Sequence, residues 1–267
     1  MTIEHVSSRV LSRVQRSAAR RLARRPFAVD TPVPIVSFTF DDFPQSALLT
    51  GGAILNRFGL AGTYYASFGL VGTQAPTGKI FVPEDLAVLR QQGHELGCHT
   101  FSHCHSWDTA TEDFEQSIIR NREALKQFVP GTSFRTFSFP ISPPWPMSKR
   151  RAAEHFLCCR GGGQTHMAGE ADLNYLAAFF LEKSRDDLAA VAAVIEQNRR
   201  ARGWLVLATH DVDDHPTPYG CTPAFFEAVV KQVVDSGATV LPVAAACDAV
   251  RGGNGHRHVD PSSESLH

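Results

Sequence analysis

From Pro34 to Val250 the chain alternates apolar runs of four to seven residues with amphipathic stretches of nine or more, and few folds can use that rhythm. An apolar run too short for a helix and lacking strict alternation reads as a strand buried on both faces. The strands predicted this way are Ile35–Phe40, Ala61–Ser67, His94–His99, Thr136–Pro140, Phe179–Glu182, Trp204–Thr209 and Thr239–Pro242. Between them, apolar residues at helical spacing predict helices over Ser46–Phe58, Pro83–Gln92, Thr111–Phe128, Ser148–Phe156, Asp186–Ala201 and Thr222–Ser236. Gly59, Gly93, Gly131, Gly203 and Gly237 each follow one of these helices, where a left-handed cap favours glycine. Strand, helix, strand in repetition gives a parallel sheet covered by helices. Seven such strands imply an α/β architecture, a distorted (β/α) barrel, open or closed.

The length of 267 residues suits one such barrel as a single domain, placed at residues 34–250. A net charge of −1 argues against a nucleic-acid partner, but the average conceals an asymmetry. Residues 1–25 hold seven arginines against Glu4, a balance of +6, so the rest of the chain sums to −7. Val10, Leu11, Val14, Ala18 and Leu22 recur at helical spacing among those arginines, predicting a basic amphipathic helix over Ser8–Arg25. Its charged face has two readings, weak contact with an anionic membrane surface or partner, or solvation while the other face packs on the body. Pro26, Pro32 and Pro34 then mark a linker, so residues 1–33 read as helix and linker. Residues 251–267, rich in Gly, Ser and His, read as a disordered tail. Six cysteines without Cys-x-x-Cys spacing point to a reducing compartment. Arginine interrupts any signal-peptide core, and no apolar run is long enough to span a bilayer. The expectation is a cytoplasmic protein, with nothing to fix its oligomeric state.

Three strand ends carry polar residues that invite chemistry. Ile35–Phe40 runs directly into Asp41-Asp42, and two adjacent carboxylates repel unless a cation or a shared proton relieves them. Taken alone, the pair reads as an ordinary turn. The next strand ends at His99, with His103 four residues on, a spacing that lets one helical turn or a tight loop bring two imidazoles to one metal ion. In a chain with twelve histidines that spacing is weak by itself. The third strand, Trp204–Thr209, delivers His210-Asp211. Parallel α/β folds build their sites at the carboxyl ends of strands, so all three groups fall on one face. Two imidazoles and a carboxylate leave coordination positions open for water, and the second aspartate is then free to act as a base. Cys98 and Cys104 flank the histidines; in a strand Cys98 points away from His99 and is expected in the core. Trp107, Trp145 and Tyr219 sit in loops near these ends, where such rings either stack on sugars or anchor the loops.

At these residues the chain resembles the NodB-like polysaccharide deacetylases, carbohydrate esterase family 4. Thr39-Phe-Asp-Asp42 resembles the family's first motif, Gly93–His103 its second and Leu205–Asp211 its last. The resemblance implies a metal-dependent deacetylase acting on an acetylated glycan or oligosaccharide, N-acetyl ahead of O-acetyl. It also implies one divalent metal ion, zinc foremost, on Asp42, His99 and His103, with Asp41 as base and His210 as general acid. The family's third motif pairs an arginine with a groove-lining Pro-aromatic segment. Its counterpart here is Phe134–Pro144, which brings Arg135, Phe139, Pro140 and Ile141 to the groove and an oxyanion donor from the Phe139–Ser142 backbone. Glu182 is the nearest candidate for a carboxylate supporting His210.

Three other readings compete. A metal-dependent amidohydrolase acting on a small cyclic or linear amide would use the same residues. A non-haem Fe(II) oxygenase also uses two histidines and a carboxylate, but has no use for Asp41 or His210. A non-catalytic membrane or nucleic-acid binder would rest on the arginine-rich helix alone.

Overall fold

The structure is a computed structural model and describes residues 13–184 and 186–255. Its centre is a sheet of eight strands, all paired in parallel. In chain order the strands of the molecule are β1 (Pro26–Val29), β2 (Ile35–Phe40), β3 (Thr63–Ala66), β4 (Gln74–Ala75), β5 (Gly78–Lys79), β6 (Glu95–Cys98), β7 (Thr136–Ser138), β8 (Cys158–Arg160), β9 (Gly169–Asp172), β10 (Phe179–Phe180), β11 (Trp204–Thr209) and β12 (Thr239–Val240). The main sheet runs β10-β11-β2-β3-β6-β7-β8, and β12 adds to β2. The helices are α1 (residues 13–21), α2 (Ala53–Arg57), α3 (Pro83–Gln91), α4 (Thr111–Phe128), α5 (Pro146–His155), α6 (Leu188–Ala201), α7 (Pro223–Asp235) and α8 (Val243–Gly255).

The two longest strands of the sheet, β2 and β11, are buried at every position and pair over their full length, from Trp204 opposite Ile35 to Thr209 opposite Phe40. Phe38 and Phe40 pack on Phe226 of α7, with ring centroids 5.7 and 5.6 Å apart. Truncating either phenylalanine to alanine would cost about 3–5 kcal/mol. Equal length and matched register make Asp41 and His210 emerge side by side at the carboxyl end. Between Phe40 and α2 the chain takes a wide π turn, Ala47–Gly52. A Cβ on Gly51 would lie 3.0 Å from the Phe40 ring, so glycine lets this turn press onto β2.

The sheet is curled, a half-barrel of seven strands. Its two edges are drawn together by residues 173–180, which bond to β8 at Cys159 and Gly161 and continue into β10 beside β11. At the amino end, half-buried Glu95 accepts bonds from Thr63, Thr136 and the Ala244 backbone N–H, joining β3, β7 and α8. Burial raises the pKa of its carboxyl group.

The sequence-based elements differ from these in instructive places. The sequence pattern did not mark β8 as a strand, and β12 lies off the main path, so the strand count of seven agrees for a partly different set. The segment predicted as a linker contains β1, paired antiparallel with β9 from Pro26 opposite Asp172 to Val29 opposite Gly169. A partner about 140 residues away leaves no local signature. Of the predicted basic helix, residues 13–21 are helical, and residues 1–12 lie outside the described residues. Gly59, Gly93, Gly131 and Gly237 do take positive φ, but at the fifth position Arg202 adopts the left-handed cap and Gly203 does not. Gly203 serves close approach instead, since a Cβ there would sit 2.3 Å from the Met167 carbonyl. The final helix, α8, runs past position 250 to Gly255; residues 256–267 of the predicted tail lie outside the described residues.

Candidate active site

Asp41 and Asp42 leave the end of β2 in different directions because Asp42 turns the chain into the left-handed region, φ 60°, followed by Phe43 at 53°. Thr100, His103 and Ile141 also take positive φ, so five of the nine such non-glycine residues among the described ones surround this site. Such backbone is disfavoured for L residues and persists only where packing imposes it. His99 follows β6 directly, and a tight loop, not a helical turn, returns His103 to it. That loop is pinned by Ser117 of α4, whose hydroxyl accepts the N–H groups of Phe101 and Ser102.

Asp42 is 6% exposed and points its Oδ1 between two imidazoles, 3.4 Å from His99 Nε2 and 3.1 Å from His103 Nε2. Neither contact is aligned as a hydrogen bond, so Oδ1 is a buried oxygen with no hydrogen-bond partner among the described residues. Its other oxygen accepts from the Thr77 hydroxyl at 2.9 Å, in the β4–β5 hairpin. One ligand atom from each of Asp42, His99 and His103 lies within 4.8 Å of the others. His99 Nδ1 is 2.8 Å from the Ser138 carbonyl, which fixes the proton there and leaves Nε2 with its lone pair directed at the cluster. Burial opposes ionisation of Asp42, yet the two imidazoles hold its pKa well below the ordinary range. A buried unsatisfied carboxylate oxygen between two imidazole nitrogens is the donor set a divalent cation fits.

Asp41 is held differently. It is 5% exposed, and its Oδ1 accepts from the Ser138 hydroxyl at 3.2 Å and from the guanidinium of Arg160. Arg160 is itself 1% exposed, donates to the Gly161 carbonyl, and lies over the rings of Tyr65 and Phe180, each 5.3 Å from its centre. Burial alone would raise the Asp41 pKa; Arg160 first, then His99 and His210, turn the balance and lower it. Ser138 thus touches both aspartate-centred groups, through its carbonyl on His99 and its hydroxyl on Asp41.

His210 completes the set. Its Nδ1 lies 3.1 Å from the Tyr219 carbonyl, leaving Nε2 for the cavity. The neighbouring Asp211 does no chemistry: it accepts the Thr217 N–H and hydroxyl, at 2.7 and 2.6 Å, and shapes the loop that carries Tyr219 back to His210. Gly220 is required there, since a Cβ would fall 2.3 Å from Asp211 Oδ1. Asp41, Asp42, His99, His103 and His210 all line one cavity of about 670 Å³.

Other predicted residues fall less neatly. Phe139, Ile141 and Tyr219 line the cavity; Pro140 is buried and does not. The Phe139 N–H is spent on the Arg160 carbonyl and Pro140 has none, which leaves Ile141 and Ser142 as the backbone donors of that loop. Arg135 is not at the groove. It precedes β7, at the opposite end of that strand from Ser138, and pairs with Asp248 of α8. Trp107 and Trp145 do not line the cavity either; they pack edge to face at 4.7 Å, and the Trp107 indole donates to the Pro143 carbonyl, anchoring the loop. Glu182 does not partner His210, whose Nδ1 is taken by Tyr219. Cys98 is fully buried in the core as expected, its thiol pushed up to about 12 by burial. The residue the sequence reading missed is Arg160. Its signal was present: Phe156-Leu-Cys-Cys-Arg160 has the same form as β2 and β11, an apolar run ending in a charge.

The family model for polysaccharide deacetylases matches residues 28–155, which span β2, both predicted metal-site motifs and Ser138. Residues 28–155 carry the polysaccharide deacetylase domain, a domain of hydrolases that act on acetyl groups. No curated protein matches it. Among solved structures it resembles a family 4 acetyl xylan esterase from Clostridium thermocellum with a cobalt ion, 20% identical over 82% of this chain and 92% of that one, TM-score 0.57. A peptidoglycan N-acetylglucosamine deacetylase is 14% identical over 82% and 90%, TM-score 0.56. A family pseudoenzyme from Bacillus anthracis is 10% identical over 82% and 66%, TM-score 0.55. These likenesses show the shared fold. With an enzyme and a pseudoenzyme both on it, the fold alone does not decide activity, and this chain's own residues have to.

Proposed function

We propose that the protein is a metal-dependent deacetylase that removes N-acetyl groups from an oligosaccharide or polysaccharide, with Asp42, His99 and His103 holding one zinc ion. The observation that carries this reading is the convergence of those three ligand atoms, within 4.8 Å, on the floor of a cavity that Asp41 and His210 also line. A divalent ion in that position would polarise the acetyl carbonyl and lower the pKa of water. Asp41, kept ionised by Arg160, accepts the proton of the attacking water. The Ile141 or Ser142 N–H donates to the developing oxyanion. His210 passes a proton from Nε2 to the leaving group. An amine departs far less readily than an alkoxide unless protonated, so an acid in this position favours an amide substrate. Tyr219, Tyr175 and Phe139 wall the cavity, and a volume of about 670 Å³ adjoining a second cavity of about 480 Å³ suits a chain of sugars better than a small amide.

Acetate release from chito-oligosaccharides, acetylated xylan and small amides, with the metal removed by chelation and then restored, tests the reading. The expected profile is zinc-dependent release from the chito-oligosaccharides. Release unaffected by chelation, or confined to small amides, overturns it.

A further inference from the structure

A helix laid on a domain ordinarily turns its apolar side inward and its charges to solvent. On α1 Ala19 is the buried apolar residue and Val14 is 56% exposed, while the exposed Arg16 borders the catalytic cavity and the exposed Arg20, with Arg24 just beyond the helix, borders the second one. The two cavities share Gly162, Gly163 and Tyr175 in their walls, so they lie side by side along one groove face. The helix is fixed over it by Lys149, fully buried, which donates to the Ala19 and Leu22 carbonyls and to Asp172. Asp172 and Glu170, the acidic residues of the second cavity, are engaged by Lys149 and Arg24 respectively. Among the described residues no carboxylate forms an ion pair with Arg16 or Arg20, and Lys183 also lines the catalytic cavity, its ammonium 4.3 Å from the centre of the Phe180 ring. The Nδ1 of His166, also lining the second cavity, is buried without a hydrogen-bond partner. All this sits on a body whose charge beyond residue 25 sums to −7.

From this groove we infer that the substrate carries an anionic group, a carboxylate or a phosphate on a sugar next to the acetylated one, bound by Arg16 and Arg20. The inference deepens the deacetylase reading and rests on it. Cations unpaired within a groove attract anions over roughly a Debye length, so the effect is salt-dependent.

The test compares three acetylated oligosaccharides, one neutral, one with uronic-acid carboxylates and one with phosphate diesters. It reads kcat/KM for acetate release and, by calorimetry, affinity for the deacetylated forms. Wild-type protein is expected to favour an anionic substrate over the neutral one, with a preference that falls several-fold as salt rises. The R16Q/R20Q variant should lower that preference and the corresponding affinity by roughly five- to tenfold, and R16K/R20K should restore most of both. The tighter of the two anionic arms identifies the group. Equal ratios in wild type and R16Q/R20Q, or no wild-type preference, overturn the inference while leaving the deacetylase reading intact. If no substrate releases acetate, that reading fails, and arginine-dependent binding of the anionic sugars still decides whether the groove is an anion site.

Discussion

Asp41 and Asp42 are chain neighbours with the same chemistry, and the structure separates them by what they touch. Asp42 faces two imidazoles, Asp41 a guanidinium, so their losses should differ. Asp41→Asn is expected to keep metal and lose turnover by about 10²–10⁴-fold, the span of general-base contributions. Asp42→Ala, by contrast, should lose the metal itself. Metal analysis alongside kcat separates the two, and metal loss in Asp41→Asn would contradict the division of roles. The adjacency was legible in the sequence, but the reason for it was not, because Arg160 arrives from 119 residues away. Glu182 is the second informative carboxyl. Burial raises its pKa from 4.5 to about 7, with the Asp41 charge adding to the effect, and its Oε2 has no hydrogen-bond partner among the described residues. An acid with a raised folded pKa favours the native state below its unfolded value, and that contribution is lost as pH climbs from about 4.5 toward 7. Glu182→Gln, permanently neutral, should therefore be more stable than wild type at pH 8 by about 2–3 kcal/mol and match it near pH 4. Denaturation at both pH values checks this; equal stability at pH 8 would show that the burial is not felt.

At the scale of elements, the strands that deliver the site were the ones most readable. β2 and β11 are long, wholly buried, mostly apolar and bounded by polar residues, so their ends and Asp41, Asp42 and His210 followed together. β8 has only three residues, Cys158–Arg160, so its apolar run ending in a charge is a short signal, and leaving it out placed the arginine role on Arg135 at the wrong end of β7. Strand β1 escaped for another cause: its only pairing among the described residues is with β9, across about half of the chain. The loop between Asp211 and Cys221 shows how an element sets the chemistry of a side chain it does not contain. Gly220→Ala would drive a methyl into Asp211, shift the Tyr219 carbonyl off His210 and free the imidazole to rotate. A loss in kcat of about tenfold or more with unchanged metal content is the expected outcome. Full activity in that variant would mean the loop does not position His210.

Over the whole molecule, the two ends of the sheet have separate tasks. The amino end is closed by half-buried Glu95 and its bonds to β3, β7 and α8. The carboxyl end is where disfavoured backbone, buried charge and open volume coincide. Architecture followed from the strand and helix rhythm, since hydrophobic periodicity is local, whereas the loops that orient the site depend on contacts between distant segments. Solved structures of the same fold share only 10–20% of residues with this chain, so function rests on where a few side chains meet. Diffraction from crystals soaked in zinc, recorded at the zinc absorption edge, addresses that meeting most directly. A single anomalous peak about 2.0–2.2 Å from an Asp42 oxygen and from Nε2 of both His99 and His103 is the expected result. No peak there, or one ligated by other residues, would contradict it.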